Sequence, residues 1–349
     1  MTRERTGAVD VLYAGALDAG QTSLARMQGL QDLGLRVVAL NSQQWSRRQP
    51  RWMRAIESRA FVGPAAIAEN RRLLVAAREH RPAVVWVDKG VFIYPVTLRR
   101  LRALGALLVH YNTDDVLCRR HPFFVLRHTI PFYDLHFTTN RANLEDLRRL
   151  GARAVVPSAL GYDHRIFSAR AFAPAELERY RSDAVFVGHW EPATEETVLE
   201  IAAAGIDLRV WGENWHRTSA KDRLRDAVTY RSLWLDDYVK ALLASKVALC
   251  FLSKWNRNTT AGRSFEIPAV GAFLLAERTD EHLELYHEGV EAEFFGDHKE
   301  MIDKLRYYLE HETERRQIAR RGHERCLASG YSYQAQMARD WCHVEALLA

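Results

Sequence analysis

The sequence predicts two α/β domains, each a parallel sheet wrapped by helices, and three observations carry that prediction. Short Val- and Leu-rich runs alternate with longer helical patterns from the start; the alternation lapses once near the middle; and it then begins again. A chain of 349 residues also has the length for two cores of roughly 170 residues each.

In the first half the strand-like runs are Val9 to Ala14, Arg36 to Leu40, Ala83 to Val87, Leu107 to Tyr111 and Leu135 to Thr138. Helical stretches at Ser23 to Leu33, Ala65 to His80 and Thr97 to Leu104 separate them, several closed by a glycine or an X-Pro step. This reads as a Rossmann-like unit. Arg141 to Leu150 has helical periodicity and stops at Gly151, and a short strand follows at Ala154 to Val156. After Gly161-Tyr162-Asp163-His164 no clear strand appears until about Arg181, which places the linker there. The second half brings runs at Ala184 to Val187, Asp207 to Trp211, Val247 to Leu252 and Ala272 to Ala276. Lys299 to Leu348 is helix-forming throughout, with one break at Gly330-Tyr331-Ser332. The expected domains are residues 1–170 and 171–330, with 331–349 a C-terminal helix packing back toward the first. Two such sheets facing each other leave a cleft at the carboxyl ends of their strands, where open α/β sheets bind ligands.

Composition excludes several classes. With 48% hydrophobic and 27% charged residues, the chain has no apolar run near the roughly 20 residues a membrane span needs. The polar start from Met1 to Val9 carries no secretory or transit signal, so a cytoplasmic location is expected. Cys118, Cys250, Cys326 and Cys342 are scattered, without a C-x-x-C pair or Cys/His cluster; they read as reduced thiols, and no bound metal is expected. The net charge of +5 comes from 49 basic against 44 acidic residues mixed along the chain. Solvated Arg-rich helix faces account for it, with an anionic substrate or a peripheral contact to acidic lipid headgroups as the alternative. No nucleic-acid partner is expected.

At the first strand, Tyr13-Ala-Gly15-Ala-Leu-Asp18-Ala-Gly20-Gln-Thr-Ser23 makes a glycine-containing turn into a helix. Its spacing is not G-x-G-x-x-G, which discounts a dinucleotide cofactor. It reads either as a tight turn with Ser23 as N-cap or as a substrate loop. Trp86-Val-Asp88-Lys89-Gly90 and His110-Tyr-Asn-Thr-Asp114-Asp115 both lie just past apolar strands. Asp18, Asp114 and Asp115 are therefore candidates for a general base or for holding sugar hydroxyls, and Gly15 and Lys89 for the same side of the site. Capping of the next segment is the plainer role for each aspartate. Trp45-Ser-Arg47-Arg48-Gln-Pro-Arg51-Trp52 reads as an exposed basic loop.

In the second half, Phe186-Val-Gly188-His189-Trp190 and Val210-Trp211-Gly212-Glu213-Asn214-Trp215 end their strands in glycine, clearing room for a nucleotide, while Trp211 and Trp215 read as core. The most informative stretch runs from Phe251 through Lys254, Arg257, Asn258 and Gly262-Arg263-Ser-Phe-Glu266-Ile-Pro to Gly271 and Glu277. A strand delivers a basic loop, and Gly262 to Ser264 opens a helix. That helix start, with Lys254, Arg257 and Arg263, suits a diphosphate. Glu266, in the first turn, suits a pair of ribose hydroxyls. A helix-dipole charge for Glu266 and a surface ion pair for Arg263 are the structural alternatives.

Asn256-Arg257 through Arg263-Ser-Phe-Glu266-Ile-Pro-Ala-Val-Gly271, Leu275-Ala-Glu277-Arg278-Thr279-Asp280-Glu281 and Tyr286-His-Glu288-Gly289 resemble the CgeB-like glycosyltransferases, a family named after a spore-maturation protein within the GT-B superfamily. The likeness spans the second half and reaches Leu135 to Gly161-Tyr162-Asp163 in the first. It implies a GT-B fold with a nucleoside diphosphate sugar as donor on the second domain. The acceptor on the first would be a hydroxyl-bearing glycan, lipid-linked molecule, protein or small molecule, with transfer needing no bound metal or cofactor. Under this reading Arg263, helped by Lys254, neutralises the leaving diphosphate, Glu266 anchors the ribose, and Gly188, His189, Gly212 and Asn258 line the donor. Asp114, Asp115 or Asp18 would take the acceptor's proton in an inverting enzyme. The group's first glutamate falls at Asn258, and its Arg/Lys pair is replaced by His189 and Glu191, so stereochemistry stays open. The alternatives are a sugar-nucleotide epimerase or hydrolase and a non-catalytic sugar-nucleotide-binding coat-assembly protein.

Overall fold

A computed structural model describes residues 9–43, 50, 52–53, 56–57, 62–118, 124–168 and 170–349. The polar start before Val9 and most of the basic stretch from Trp45 to Trp52 lie outside the described residues. The chain divides into two compact units, Met1–Ala159 with Tyr333–Ala349, and Leu160–Ser332.

The first unit runs β1 (Val11–Gly15), α1 (Thr22–Asp32), β2 (Val37–Asn41), α2 (Pro64–His80), β3 (Val84–Asp88), α3 (Pro95–Ala103), β4 (Leu107–Asn112), α4 (Phe124–Thr129), β5 (Leu135–Thr138), α5 (Ala142–Arg149) and β6 (Val155–Pro157). Its six strands lie in the order β2-β1-β3-β4-β5-β6, every pairing parallel. Parallel strands covered on both faces read as unbroken apolar runs, which is why the sequence located them. Within each run the side chains still alternate. Val11 and Tyr13 join Trp86, Tyr111 and Phe137 on one face, while Leu12 and Ala14 join Val85, Val87 and Leu73 on the other.

The second unit continues with α6 (Pro174–Leu177), β7 (Ser182–Val187), α7 (Pro192–Ala203), β8 (Leu208–Trp211), α8 (Leu235–Ala244), β9 (Ser245–Cys250), α9 (Arg263–Ala269), β10 (Leu274–Glu277), α10 (Asp280–Leu285), β11 (Glu293–Phe295), α11 (His298–Glu310) and α12 (Glu312–Ala328). Its parallel sheet has the order β11-β10-β9-β7-β8. Each unit therefore places its second strand beside its first on one side and its third on the other. The stretch after Gly161 belongs to this unit although it carries no strand. Tyr162 and Phe167 are buried in the second unit's core, and Tyr162 bridges to Ser332.

Two elements differ from expectation. β11 is only Glu293-Phe-Phe295, too short for a run-based reading to register, yet it extends the sheet beside β10. The helical tail breaks at His311 as well as near Gly330. The His311 ring lies over Tyr307 with centroids 3.8 Å apart, and its Nδ1 donates to the Tyr307 carbonyl at 2.7 Å beside the His311 backbone N–H at 2.9 Å, capping the end of α11. The last helix, α13 (Tyr333–Leu348), packs on α1 in the first unit. Gly29 makes that approach close: a Cβ there would fall 2.9 Å from Met337.

Beneath α1 and α13 lies a fully buried ion pair. Arg26 donates from Nε to Asp88 Oδ2 at 2.8 Å and from Nη2 to Oδ1 at 3.0 Å, Tyr13 donates its hydroxyl to Oδ2 at 2.7 Å, and the guanidinium sits 4.5 Å from the Tyr111 ring centroid. Removing one member of such a pair strands the other charge in the core. Arg26→Ala is expected to cost about 3–5 kcal/mol of unfolding free energy, measured by urea denaturation. A loss below about 1 kcal/mol would show that Asp88 is solvated by another route.

Candidate functional site

In an open α/β sheet, ligands gather where neighbouring strands send their chains in opposite directions. In the second unit that point lies between β7 and β9, since β8 follows β7 on one side and β10 follows β9 on the other.

Arg263, the first residue of α9, fills it. Its guanidinium donates from Nη1 to the Val187 carbonyl at 2.9 Å and from Nη2 to the Phe251 carbonyl at 2.7 Å, bridging the ends of β7 and β9, and it lies 4.9 Å from the Phe186 ring centroid. The sequence suggested a diphosphate ligand or a surface ion pair for this residue, and its observed partners are backbone. The first-turn amides of α9 are engaged as well: Ser264 N donates to the Ala261 carbonyl, and Phe265 N and Glu266 N to that of Gly262.

Gly188 and Gly212 are set by contact between chain segments. Gly212 has φ +150°, and a Cβ on it would lie 1.9 Å from the Gly188 carbonyl oxygen. That oxygen accepts from Trp215 Nε1 at 2.9 Å, and Gly188 N donates to the Trp211 carbonyl at 2.8 Å. Trp211 and Trp215 are buried in the core.

Glu191, at the start of α7, ties the two loops together. Nearly fully buried, it accepts from His189 Nε2 at 2.9 Å, Ser253 Oγ at 2.5 Å and Lys254 N at 3.1 Å. Burial alone would raise its pKa, but the bonds from His189 and Ser253 outweigh it and hold the carboxyl below the usual range. His189 itself is exposed and stacks toward Trp255. The Lys254 ammonium pairs with Glu277, whose other oxygen accepts from Leu252 N at 2.7 Å. Asn258 donates its backbone N–H to the Ser253 carbonyl at 3.1 Å.

Glu266 stands one turn into α9, half-buried, and accepts from the Tyr238 hydroxyl at 2.9 Å. Burial pushes its carboxyl up to about 7, with the Tyr238 hydrogen bond and the Arg263 charge pulling the other way. Behind the helix, Ser264 Oγ lies 2.7 Å from His282 Nε2, and His282 Nδ1 lies 2.6 Å from the Glu277 carbonyl oxygen. A carbonyl can only accept, so the His282 proton sits on Nδ1 and Ser264 donates to Nε2. Burial pushes this imidazole's pKa down, keeping it neutral. Tyr238, Ser253 and His282 were not singled out in the sequence, and Glu191 only as a departure from the group's Arg/Lys pair. Glu191 did carry a usable signal, a Glu-Pro step after a strand that marks a helix start.

In the first unit the candidates gather at the carboxyl edge of the sheet. Gly15 ends β1, and its carbonyl accepts from Ser42 N at 2.9 Å. Asp18 Oδ1 accepts from Asn41 Nδ2 at 3.2 Å. Lys89, at φ +64° just past β3, pairs with Asp114 at 2.9 Å, and the Asp114 charge raises its pKa. Asp115 is buried and accepts from Leu117 N at 2.8 Å, the capping role. Among the described residues no group of three or more His, Cys, Asp and Glu side chains is placed to hold a metal ion, and no helix is long and apolar enough to cross a membrane.

Residues 193–341 match the family model described as Glycosyl transferase-like. No curated protein sequence matches the chain. Among solved structures, sucrose-phosphate synthase from Thermosynechococcus elongatus is similar with a TM-score of 0.67 at 13% identity, over 97% of this chain and 100% of that one. The trehalose 6-phosphate synthase of Burkholderia multivorans gives 0.64 at 14%, over 98% and 100%. Anabaena HepE, crystallised with UDP, gives 0.60 at 13%, over 97% and 100%. At these identities the likeness shows the fold, which is that of GT-B glycosyltransferases.

Arg263→Lys puts a point charge where a planar fork meets two carbonyls. Leaving one partly buried carbonyl unmet should cost about 1 kcal/mol, read as a lower urea midpoint with unchanged slope. An unaltered midpoint would show that the bridge contributes nothing.

Proposed function

We propose that this chain, which carries a glycosyltransferase-like domain over residues 193–341, moves a sugar from a nucleoside diphosphate sugar to a hydroxyl acceptor, with the donor on the second unit and the acceptor on the first. The observation that carries this reading is that the matched residues supply β9, Gly212, Arg263 and Glu266 to the β7/β9 switch point, where the guanidinium meets the end of β7 beside Gly188. HepE is crystallised with UDP and with UDP-glucose, which makes a uridine diphosphate sugar the first donor to test. The run Arg263-Ser-Phe-Glu266-Ile-Pro supports the narrower assignment to the CgeB-like glycosyltransferases.

Arg263 acts here through position and field. It fixes the spacing of the two strand ends and keeps a positive charge beneath the loops where a diphosphate gains negative charge as it departs, an arrangement that needs no reorganisation during the reaction. His189, oriented by Glu191, is an exposed side chain of the loop that leaves β7. Glu266 receives the two ribose hydroxyls, its carboxylate accepting both. On the acceptor side Asp18 and Asp114 remain the carboxylates for the proton, since Asp115 is committed to its turn.

Burial pushes the Glu266 carboxyl up to about 7, and only its ionised form accepts from both ribose hydroxyls with charge-assisted strength. UDP-glucose affinity should therefore strengthen as pH rises from about 6 to 8, because the ionised fraction grows across that window. Glu266→Gln should weaken binding about tenfold at pH 8 and remove the pH dependence. Calorimetry checks both, and a flat wild-type profile would remove Glu266 from the donor site. With donor bound, UDP release should require an acceptor; release at full rate without one would favour an epimerase or hydrolase.

A further inference from the structure

The first unit contains a cavity of about 700 Å³, within the usual range of small-molecule sites, about 300–1,000 Å³. It opens at the carboxyl ends of β1, β2 and β3, the switch point of this sheet, and is walled by the start of α1, by Ser42, by Lys89 to Phe92, and by the first turns of α2.

The α2 wall is acidic. Glu57 is buried and its Oε1 accepts from Ala66 N at 2.8 Å, which fixes the carboxyl at the helix start. Glu69 lies three residues beyond Ala66 and so on the same face of α2, lining the same cavity. The two cations that line the cavity are already committed, Arg26 to Asp88 and Lys89 to Asp114. Among the described residues, neither Glu57 nor Glu69 has an ion-pair partner. Burial pushes the Glu69 carboxyl up to about 8; Arg72 on the same helix pulls it down, and the charge of Glu57 beside it pushes it further up. Two carboxyl groups sharing one partly desolvated wall keep a proton between them or recruit a positive charge.

We infer that this cavity is the acceptor subsite, and that it takes a hydroxyl-rich molecule presenting a hydroxyl or a protonated amine to Glu57 and Glu69 while rejecting phosphorylated or carboxylated ones. Its acceptor role rests on the glycosyl-transfer reading above; its charge preference stands on the wall alone. An anionic group would sit against like charge in a site of reduced dielectric, whereas an ammonium would relieve the repulsion between the two carboxyls. The ordering by charge is thus amine above neutral above anion.

Glucosamine, glucose and glucose 6-phosphate share a ring and differ in charge, so they are the probes. Saturation-transfer NMR on the full chain at pH 7 should give binding in the order glucosamine, glucose, glucose 6-phosphate, the first and last at least tenfold apart. Glu69→Gln should reduce the glucosamine advantage several-fold, and Glu69→Lys should invert the order. Both variants should keep wild-type UDP affinity and melting temperature, which separates a local effect from misfolding. Preference for glucose 6-phosphate, an order indifferent to both substitutions, or no binding of any probe would overturn the proposal. Should the probes follow the predicted order while UDP-glucose is neither bound nor turned over, the charge preference stands and the transferase reading falls.

Discussion

A guanidinium at the switch point of each sheet, fully buried at Arg26 and partly buried at Arg263, is the interaction around which both units are arranged. Where adjacent parallel strands send their chains apart, the last carbonyls lose the next rung of the ladder, and a buried polar group without a partner costs about 1–3 kcal/mol. In the second unit Arg263 meets this need directly, with one donor for Val187 and one for Phe251. In the first unit Arg26 instead pairs with the Asp88 carboxylate at the end of β3, which also accepts from the Tyr13 hydroxyl of β1. A lysine could not serve either place equally, because neither its geometry nor its strong hydration suits a buried fork.

From these two points the surroundings follow. The ends of β7 and β9 are held at a set distance, Glu191 then links the loops that leave them, and Glu277 anchors Lys254 and the start of the β9 loop from the neighbouring strand. Glu266 is kept near its ionisation point by burial opposed by Tyr238 and Arg263. In the first unit the buried pair neutralises Asp88 and leaves the acidity of the cavity to Glu57 and Glu69. The two switch points therefore differ in sign: a cationic floor suited to a departing diphosphate, and an acidic wall suited to a hydrogen-bond donor. Charges fixed in this way do not have to be reoriented when a reaction creates new charge.

The shared strand order of the two units, second-first-third and onward, gives each the same crevice at the same place. What distinguishes them is the helix that supplies the arginine. Arg26 comes from the helix after the first strand, Arg263 from the helix after the third. Each switch point holds a guanidinium, supplied from a different position along the chain.

The two α/β units and most of their strands were legible in the chain's local pattern. An apolar run buried on both faces leaves a mark within a few residues, so Leu135 to Thr138 was legible to the residue, and Gly151 and Gly330 marked where helices stop. That pattern also located the helix start at Arg263 and the carboxyl at Glu266. What those residues touch depends on the packing of distant segments. Val187 lies 76 positions from Arg263, and Gly212 must be glycine because Gly188 crosses it. Likewise Asp115 caps its own turn, and Lys254 faces Glu277 on the adjacent strand. Periodicity is a property of a short window of chain. Hydrogen-bond partners depend on which strands are neighbours, and the crossovers that place β9 beside β7 bring together residues with no local signal of each other.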